Sequence, residues 1–548
     1  MKEKHIWFLC FTAVFAALAG FVFWGTWSLD FEPVMPDCPT DFAPGFACRA
    51  LRGMMTNGFF VPADVCRFLG SPYFWRELQY VLPLYCAALG MMYFCRGRGL
   101  SRLASYGAGL LLAFGGYWCT LFSAGHLGWF QWMTYGVFAF GLADRAVRKG
   151  KLRHWLLLGA CVAWGSFYQP DLWFLFAVFT GAYFIWCCVR ERKFPWKGAI
   201  LSAAVFFLVG APSIRGALGG GLAMRDKQIE EGQTVSPKDA ASVDAREKRW
   251  IFVTNWSLPP AESAEFFIPR LNGDTSCPMT LSLGARYGTG VKQYTGALGR
   301  PKDAPAGNYR QHSLYVGFIT CILAALGGLI GLRSLIGLKG LKFHCTTTTS
   351  DYAFFLIAAI LCWLFSMGRY CELVYRVIFS LPFGDYVRAP VKWHHLTEFS
   401  ICVLAGYGIE GLGGLEVWKV WKVEKFAPWI VGLVVLIGAI DLARVDHLYC
   451  APVDLREAKR QNADMRMTFL RRGDFSDPQV AAMVQAKKIV ALAQPNPEMY
   501  LVGVLQPRGP KKNNPWPPMG FATWLGILSV LSSLAVIGVS ATSRRNLI

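Results

Sequence analysis

A chain of 548 residues that is 54% hydrophobic and 15% aromatic, with a mean hydropathy of +0.35, is too apolar to be an ordinary soluble protein. Its formal net charge of +20 would suit a nucleic-acid partner if the Lys and Arg residues made one basic face, but they recur in short clusters between apolar segments. Nucleic acid is therefore excluded, and the class is an all-α polytopic membrane protein.

In chain order, the apolar run Ile6–Trp27 is too long for the core of a signal peptide and predicts a first membrane helix. Further spans are predicted at Leu78–Cys95, Leu103–Ser123, Leu127–Ala143, Trp155–Tyr168, Leu172–Val189, Gly198–Ile214, Ser313–Leu332, Tyr352–Cys371, Val391–Leu412, Pro428–Val445 and Met519–Ser540, about twelve transmembrane helices in all. The fifth has only about fourteen residues before Gln169, Pro170 and Asp171, so it is expected to stop short of the surface or to lie against protein. Asp171 reads equally as a cap of the sixth helix.

Basic clusters set the orientation: Arg96, Arg98 and Arg102; Arg145, Arg148, Lys149, Lys151 and Arg153; Arg190, Arg192, Lys193 and Lys197; Arg333, Lys339 and Lys342; Lys419, Lys422 and Lys425; Arg544 and Arg545. If twelve helices alternate, all of them fall on the side of both termini, which the positive-inside rule makes cytoplasmic. Three long extracytoplasmic loops follow, at 28–77, 215–312 and 446–518. The domain reading is a transmembrane core over 1–445 that includes the first two loops, an extracytoplasmic segment over 446–518, and a final helix with a cytoplasmic tail over 519–548.

Most of the seventeen cysteines lie in apolar spans as small hydrophobes, and no spacing suggests zinc. Cys38, Cys48 and Cys66 share the first outer loop, where one disulfide would leave one thiol over.

Two constellations carry chemistry. In Ser380–Glu410 a cationic approach runs directly into an apolar helix: Arg388, then Pro390 suited to a first helical turn, then Lys392, His394, His395 and Glu398. Lys392, His395 and Glu398 are spaced i, i+3, i+6 and are expected to share a helix face. A charge at membrane depth costs about 2.5 to 3.5 kcal/mol on insertion scales, so such residues face a cavity or a partner unless they snorkel to the headgroups. The second constellation is the first outer loop, where Asp30, Glu32, Asp37 and Asp41 follow a membrane helix among Pro33, Pro36 and Pro39. Carboxylates held there can take a proton from an acceptor hydroxyl or share a divalent cation, although Asp and Pro are also the ordinary residues of a solvated turn. His126, in a short turn between helices, and Glu262, after Pro259 and Pro260, are weaker candidates that suit packing or helix-start roles equally well.

The ordered set of these pieces resembles a known family. An acidic first outer loop is followed by Phe-Leu-Gly-Ser-Pro at 68–72, Ser-Ala-Gly-His-Leu-Gly-Trp-Phe at 123–130, Trp-Ser-Leu-Pro-Pro-Ala-Glu-Ser at 256–263 with Phe-Ile-Pro at 267–269. Then come Leu-Pro at 381–382 with Val-Arg-Ala-Pro-Val-Lys at 387–392, Leu-Ala-Gly-Tyr-Gly-Ile at 404–409, and Asp441-Leu442 near Tyr449. Over about residues 1–450 the chain is similar to the YfhO-like bacterial membrane proteins of the GT-C glycosyltransferase superfamily.

The resemblance implies a GT-C-like enzyme of the bacterial cytoplasmic (inner) membrane. It would take a sugar from a polyprenyl-phosphate donor at the outer face and pass it to an envelope glycan, lipid or protein. By analogy Asp37 or Asp41 would be the catalytic base, Arg388 and Lys392 would meet the donor phosphate, and His394 or His395 would orient either reactant, with His126 and Glu262 as further substrate-binding residues. A divalent metal requirement stays open. Two readings of other classes compete: a transporter or lipid flippase, which suits twelve helices and intramembrane charge but not the absence of an internal repeat, and a non-catalytic envelope-assembly protein.

Overall fold

The computed structural model describes residues 3–24, 31–33, 72–118, 127–167, 170–221, 245–271, 313–335, 350–415 apart from 383, 425–450, 469–471 and 520–545, with a few single positions between them. A helix stands at each of the twelve predicted positions. In chain order the helices are α1 (Glu3–Val22), α2 (Pro72–Gly97), α3 (Arg102–Ala113), α4 (Leu127–Lys149), α5 (Leu152–Gly165), α6 (Pro170–Arg190), α7 (Trp196–Gly216), the short α8 (Ala245–Val253), α9 (Phe318–Leu335), α10 (Ser350–Ser366), the short α11 (Glu372–Phe379), α12 (His394–Gly413), α13 (Ala427–Cys450) and α14 (Phe521–Arg545). A three-residue antiparallel ladder joins β1 (Phe31–Pro33) to β2 (Phe469–Arg471) and so ties the first long loop to the third.

Among the described residues, five helices are long and apolar enough to cross a membrane: four within α1, α6, α13 and α14, and one formed by α7 with the π turn Ala217–Gly221 that continues it. A sixth is formed if α10 and the segment Gly368–Phe379, bent by 114° at the break between them, count as one broken span. The protein is a membrane-embedded helical protein.

Two predicted spans depart from the apolar runs that announced them, and local chemistry explains both. The third was expected to run to Ser123, but α3 ends at Ala113, the Gly116 N–H turns aside to donate to the Tyr315 carbonyl at 2.7 Å, and Tyr117 and Trp118 are helical again, with 119–123 outside the described residues. The eighth was expected from Ser313, but Ser313–Val316 is an extended segment bonded to its neighbours, and the helix starts only after Gly317, whose φ of +102° is left-handed.

α12 lies at the centre. Sixteen of its twenty residues are buried, and it packs against α3, α9, α10 and α13 as well as α2. Without water, helices associate through close van der Waals packing, and small residues allow the backbones to touch. The α9–α12 crossing shows this from both sides: a Cβ on Gly327 would sit 2.1 Å from the Leu404 carbonyl oxygen, and one on Gly408 would sit 1.9 Å from that of Leu323. Below this crossing the Phe399 ring packs on Phe140, 4.5 Å between centroids, and also meets Phe94, Phe179 and Phe355. α5, α7 and α14 form a side layer, joined by hydrogen bonds from Ser529 Oγ to the Val209 carbonyl at 2.6 Å and from Trp164 Nε1 to Ser533 Oγ at 3.0 Å.

Candidate functional site

The N-terminal end of α12 is assembled from four chain segments that lie far apart in sequence. Pro390 disfavours right-handed helical geometry at the residue before it, and Ala389 takes up a left-handed conformation, φ +67°. Its N–H then donates to the Val253 carbonyl at 3.1 Å, and the Val391 N–H donates to that of Trp256, itself left-handed at φ +59°, at 3.2 Å. The Arg369 guanidinium binds the Thr254 carbonyl at 3.0 and 3.2 Å, and the Leu258 N–H reaches the Ser366 carbonyl at 2.8 Å. The 3₁₀ turn Pro260–Phe266 closes the assembly, since the Phe266 carbonyl accepts from the Val316 N–H at 3.2 Å. Two non-glycine residues in left-handed geometry, each costing about 1 to 2 kcal/mol, are thus held by bonds from neighbouring segments.

Inside this collar sit the residues that the sequence singles out. Lys392 is 2% exposed, His394 0%, His395 3% and Glu398 4%. The expectation that Lys392, His395 and Glu398 share a helix face holds only in part. Lys392 belongs to the 3₁₀ turn Pro390–Trp393, and only His395 and Glu398 are on α12, which is buried all round its His394 end. Burial inside protein also removes the alternative in which the lysine and histidines snorkel to headgroups.

The Tyr117 ring lies against both histidines, with centroids 4.9 Å from His394 and 4.4 Å from His395. Phe266 covers His394 at 4.4 Å. The Glu398 carboxylate accepts a hydrogen bond from the Tyr117 backbone, whereas its Oε1 has no hydrogen-bond partner among the described residues. A buried carboxylate oxygen without a donor is costly, which makes Glu398 a candidate functional position.

Arg388 occupies the boundary of this cluster, half-buried, its guanidinium 4.0 Å over the Trp256 ring and 4.9 Å over Phe252. These two ring contacts hold the guanidinium in place. Glu262 is 1% exposed at the start of the 3₁₀ turn Pro260–Phe266, with buried Glu265 beside it. The structure therefore brings Arg388, Lys392, His394, His395 and Glu262 into one region. Asp37, Asp41, His126 and the three loop cysteines lie outside the described residues, as does the side chain of Asp171. No group of three or more His, Cys, Asp or Glu residues able to hold a metal occurs among the described residues.

A second buried charge cluster, at the opposite end of the helices, was not anticipated. The basic residues there read as topology signals, but three of them converge on two carboxylates. Asp144 accepts from Arg98 at 2.9 Å, Arg190 at 2.7 Å and Arg148 at 2.8 Å. Asp351 accepts from Arg190 at 2.5 Å and also pairs with Arg98. Arg98 and Arg190 are each 5% exposed at the side chain, Asp144 1% and Asp351 0%, so the network closes α2, α4, α6 and α10 over one another. The signal that could have revealed it is the acids: Asp144 stands within a basic cluster, and Asp351 begins an apolar span.

No family model matches the chain, and no curated protein matches it.

Proposed function

We propose that this protein is a membrane glycosyltransferase of GT-C-like architecture that moves a sugar from a polyprenyl-phosphate donor to a cell-envelope acceptor at the outer face of the bacterial inner membrane. On this reading twelve helices cross the membrane, both termini are cytoplasmic, and the His394 end of α12 opens outward. The observation that carries the reading is Arg388: a half-buried arginine, held against two aromatic rings, at the boundary of a buried cluster of Lys392, His394, His395 and Glu398.

In the proposed reaction the acceptor hydroxyl attacks the anomeric carbon of the donor sugar. Asp37 or Asp41 takes the hydroxyl proton, the new glycosidic C–O bond forms, and the bond from the anomeric carbon to the phosphate oxygen breaks. The polyprenyl phosphate leaves with the bonding electrons, and Arg388 neutralises the charge that develops on it. Lys392, buried beneath, adds positive potential without touching the donor. His394 and His395, held by Tyr117, give the site a rigid floor. A divalent ion, where the reaction needs one, would find hard oxygen ligands in Asp37 and Asp41.

Transfer from a purified polyprenyl-phosphate sugar in detergent, with envelope glycans and lipid-linked sugars compared by mass spectrometry in cells with and without the gene, tests this. Loss of transfer in Asp37→Asn or Asp41→Asn, with donor binding retained, is the expected result. Wild-type transfer in both of these and in Arg388→Ala would leave the enzyme reading without a site. A flippase would then be favoured, the alternative to which the intramembrane Glu398 also lends support.

A further inference from the structure

Beside the collar lies an open cleft of about 640 Å³, a volume in the range of small-molecule sites, lined by Arg246, Arg249, Phe379, Ser380, Leu381, Pro382 and Asp385. Its two walls differ in chemistry. One is α8, on which Arg246 and Arg249 stand three residues apart and so share a helix face. The other is the end of α11, reached through the 114° bend after α10.

α11 is strongly two-sided. Tyr375, Ile378 and Phe379 are buried, with Trp250 of α8 packed edge-on against both Tyr375 and Phe379. On the other side Leu373 is 87% exposed, Val377 61% and Leu381 40%. Leu373 and Val377 stand one turn apart on α11 and Leu381 lies just past its end, an exposed apolar track beside the Arg376–Glu372 pair and of the kind that lies in a membrane interface. Leu381 belongs both to the stripe and to the cleft, so the apolar track ends at the arginines.

Charge at the cleft is mixed but structured. Arg249 is held by Asp226 at 2.6 Å and Asp385 at 3.1 Å, and rests 5.1 Å from the Tyr386 ring centroid. Arg376 pairs with Glu372 on the exposed side of α11 and covers the Trp250 ring at 4.6 Å. The carboxylates thus fix Arg249 in place, and Arg246, exposed on the same face one turn earlier, extends the donor surface toward solvent.

We infer that this cleft binds the phosphate of a polyprenyl-phosphate lipid, with Arg246 and Arg249 on the phosphate and the prenyl chain lying along Leu373, Val377 and Leu381. This assignment rests on the proposed glycosyltransferase reading for the identity of the lipid. It places the first contact with the donor phosphate on Arg246 and Arg249, ahead of the contact with Arg388 proposed for the departing phosphate. The joining of an arginine pair to an apolar stripe is the complement of one ligand shape: a single anionic head on a long hydrocarbon tail.

The test is binding of a long-chain polyprenyl monophosphate to the full chain in nanodiscs, read by native mass spectrometry or by displacement of a fluorescent analogue, alongside a separate transfer assay. Arg246→Gln and Leu373→Gln are each expected to weaken the lipid about tenfold or more, with thermal unfolding measured alongside to separate loss of binding from loss of fold. Arg249→Gln should weaken it further but also loosens Asp226 and Asp385, so the first two variants decide. Unchanged binding in both overturns the site. Displacement by phosphatidylglycerol at equal concentration would show ordinary annular lipid, and displacement by inorganic phosphate alone would show a free-anion site, and either result overturns it too. Lipid binding lost in the variants of a protein with no transfer activity keeps the cleft and removes the enzyme reading. Transfer that is undiminished in both variants removes the cleft and keeps the enzyme.

Discussion

Gly115 faces Glu398 so closely that a Cβ on residue 115 would stand 2.2 Å from the Glu398 Oε1 and 2.8 Å from its carboxyl carbon. The carboxylate is 4% exposed and has little room to retreat. Gly115→Ala is therefore expected to destabilise the protein by about 1 to 3 kcal/mol, the usual cost of overpacking. Glu398→Gln keeps the volume and should not relieve the clash, whereas Glu398→Ala should. A double-mutant cycle on thermal unfolding in detergent measures the coupling, and strict additivity of Gly115→Ala with Glu398→Ala would contradict the contact.

The buried arginine–aspartate network predicts a contrast between two superficially similar substitutions. Asp351→Asn leaves Asp144 alone to balance Arg98, Arg148 and Arg190, and this excess of buried positive charge is expected to cost about 3 to 5 kcal/mol. Asp441 pairs at 3.2 Å with Arg444, whose side chain is 59% exposed; Arg444→Ala should cost no more than about 1 kcal/mol. Chemical or thermal unfolding of both variants checks the ranking.

Ala389 offers a test of local strain. Replacing alanine by glycine inside an ordinary element loses about 0.5 to 1 kcal/mol, but here the left-handed φ of +67° favours glycine and should offset that loss. Ala389→Gly is expected to be near neutral in thermal unfolding and Ala389→Val clearly destabilising, because a β-branched residue tolerates this geometry worst. Equal effects would remove strain from the description of the collar.

His154 lies one residue before the predicted fifth span and is buried, with Nδ1 lacking a hydrogen-bond partner among the described residues. Burial first, then the nearby Arg153, Arg145, Lys149 and Lys151, push its pKa down to about 4. Between an unfolded value of 6.5 and about 4 the unfolded chain takes up a proton that the folded protein refuses. Stability should fall as pH drops through that window and level off below it. His154→Gln should flatten this part of the pH profile of thermal unfolding, and an unchanged profile would rule the residue out as its source.

Arg388 predicts a graded response in donor binding. Arg388→Ala removes both charge and donors and should weaken binding and turnover together, while Arg388→Lys restores charge but not the guanidinium contact with Trp256 and should recover only part. Full recovery by lysine would mean that the ring contact at 4.0 Å is incidental.

Much of the helical plan was legible because apolar runs of membrane length are unambiguous, and the cluster from Arg388 to Glu398 was legible because charge beside such a run demands a reason. What sequence could not supply was partnership. Arg98, Arg148 and Arg190 look like any basic loop until Asp144 and Asp351 are seen between them, a relation of residues up to 253 positions apart set by tertiary packing alone. Likewise Lys392 reads as the start of an α-helix, and only the bond from Val391 to Trp256 shows why the chain enters through a tighter turn. The apolar side of α11 lies just past the span predicted to end at Cys371, and the reading stopped there because a bend is a property of packing as much as of composition.

The reciprocal seating of Gly327 on Leu404 and of Gly408 on Leu323 leaves no gap in which α9 and α12 could slide past one another. The two helices must then travel as one plank, carrying Ser313–Val316 at the head of one and His394, His395 and Glu398 at the head of the other at a constant spacing. The site end of the protein thus rests on an anvil of two locked helices.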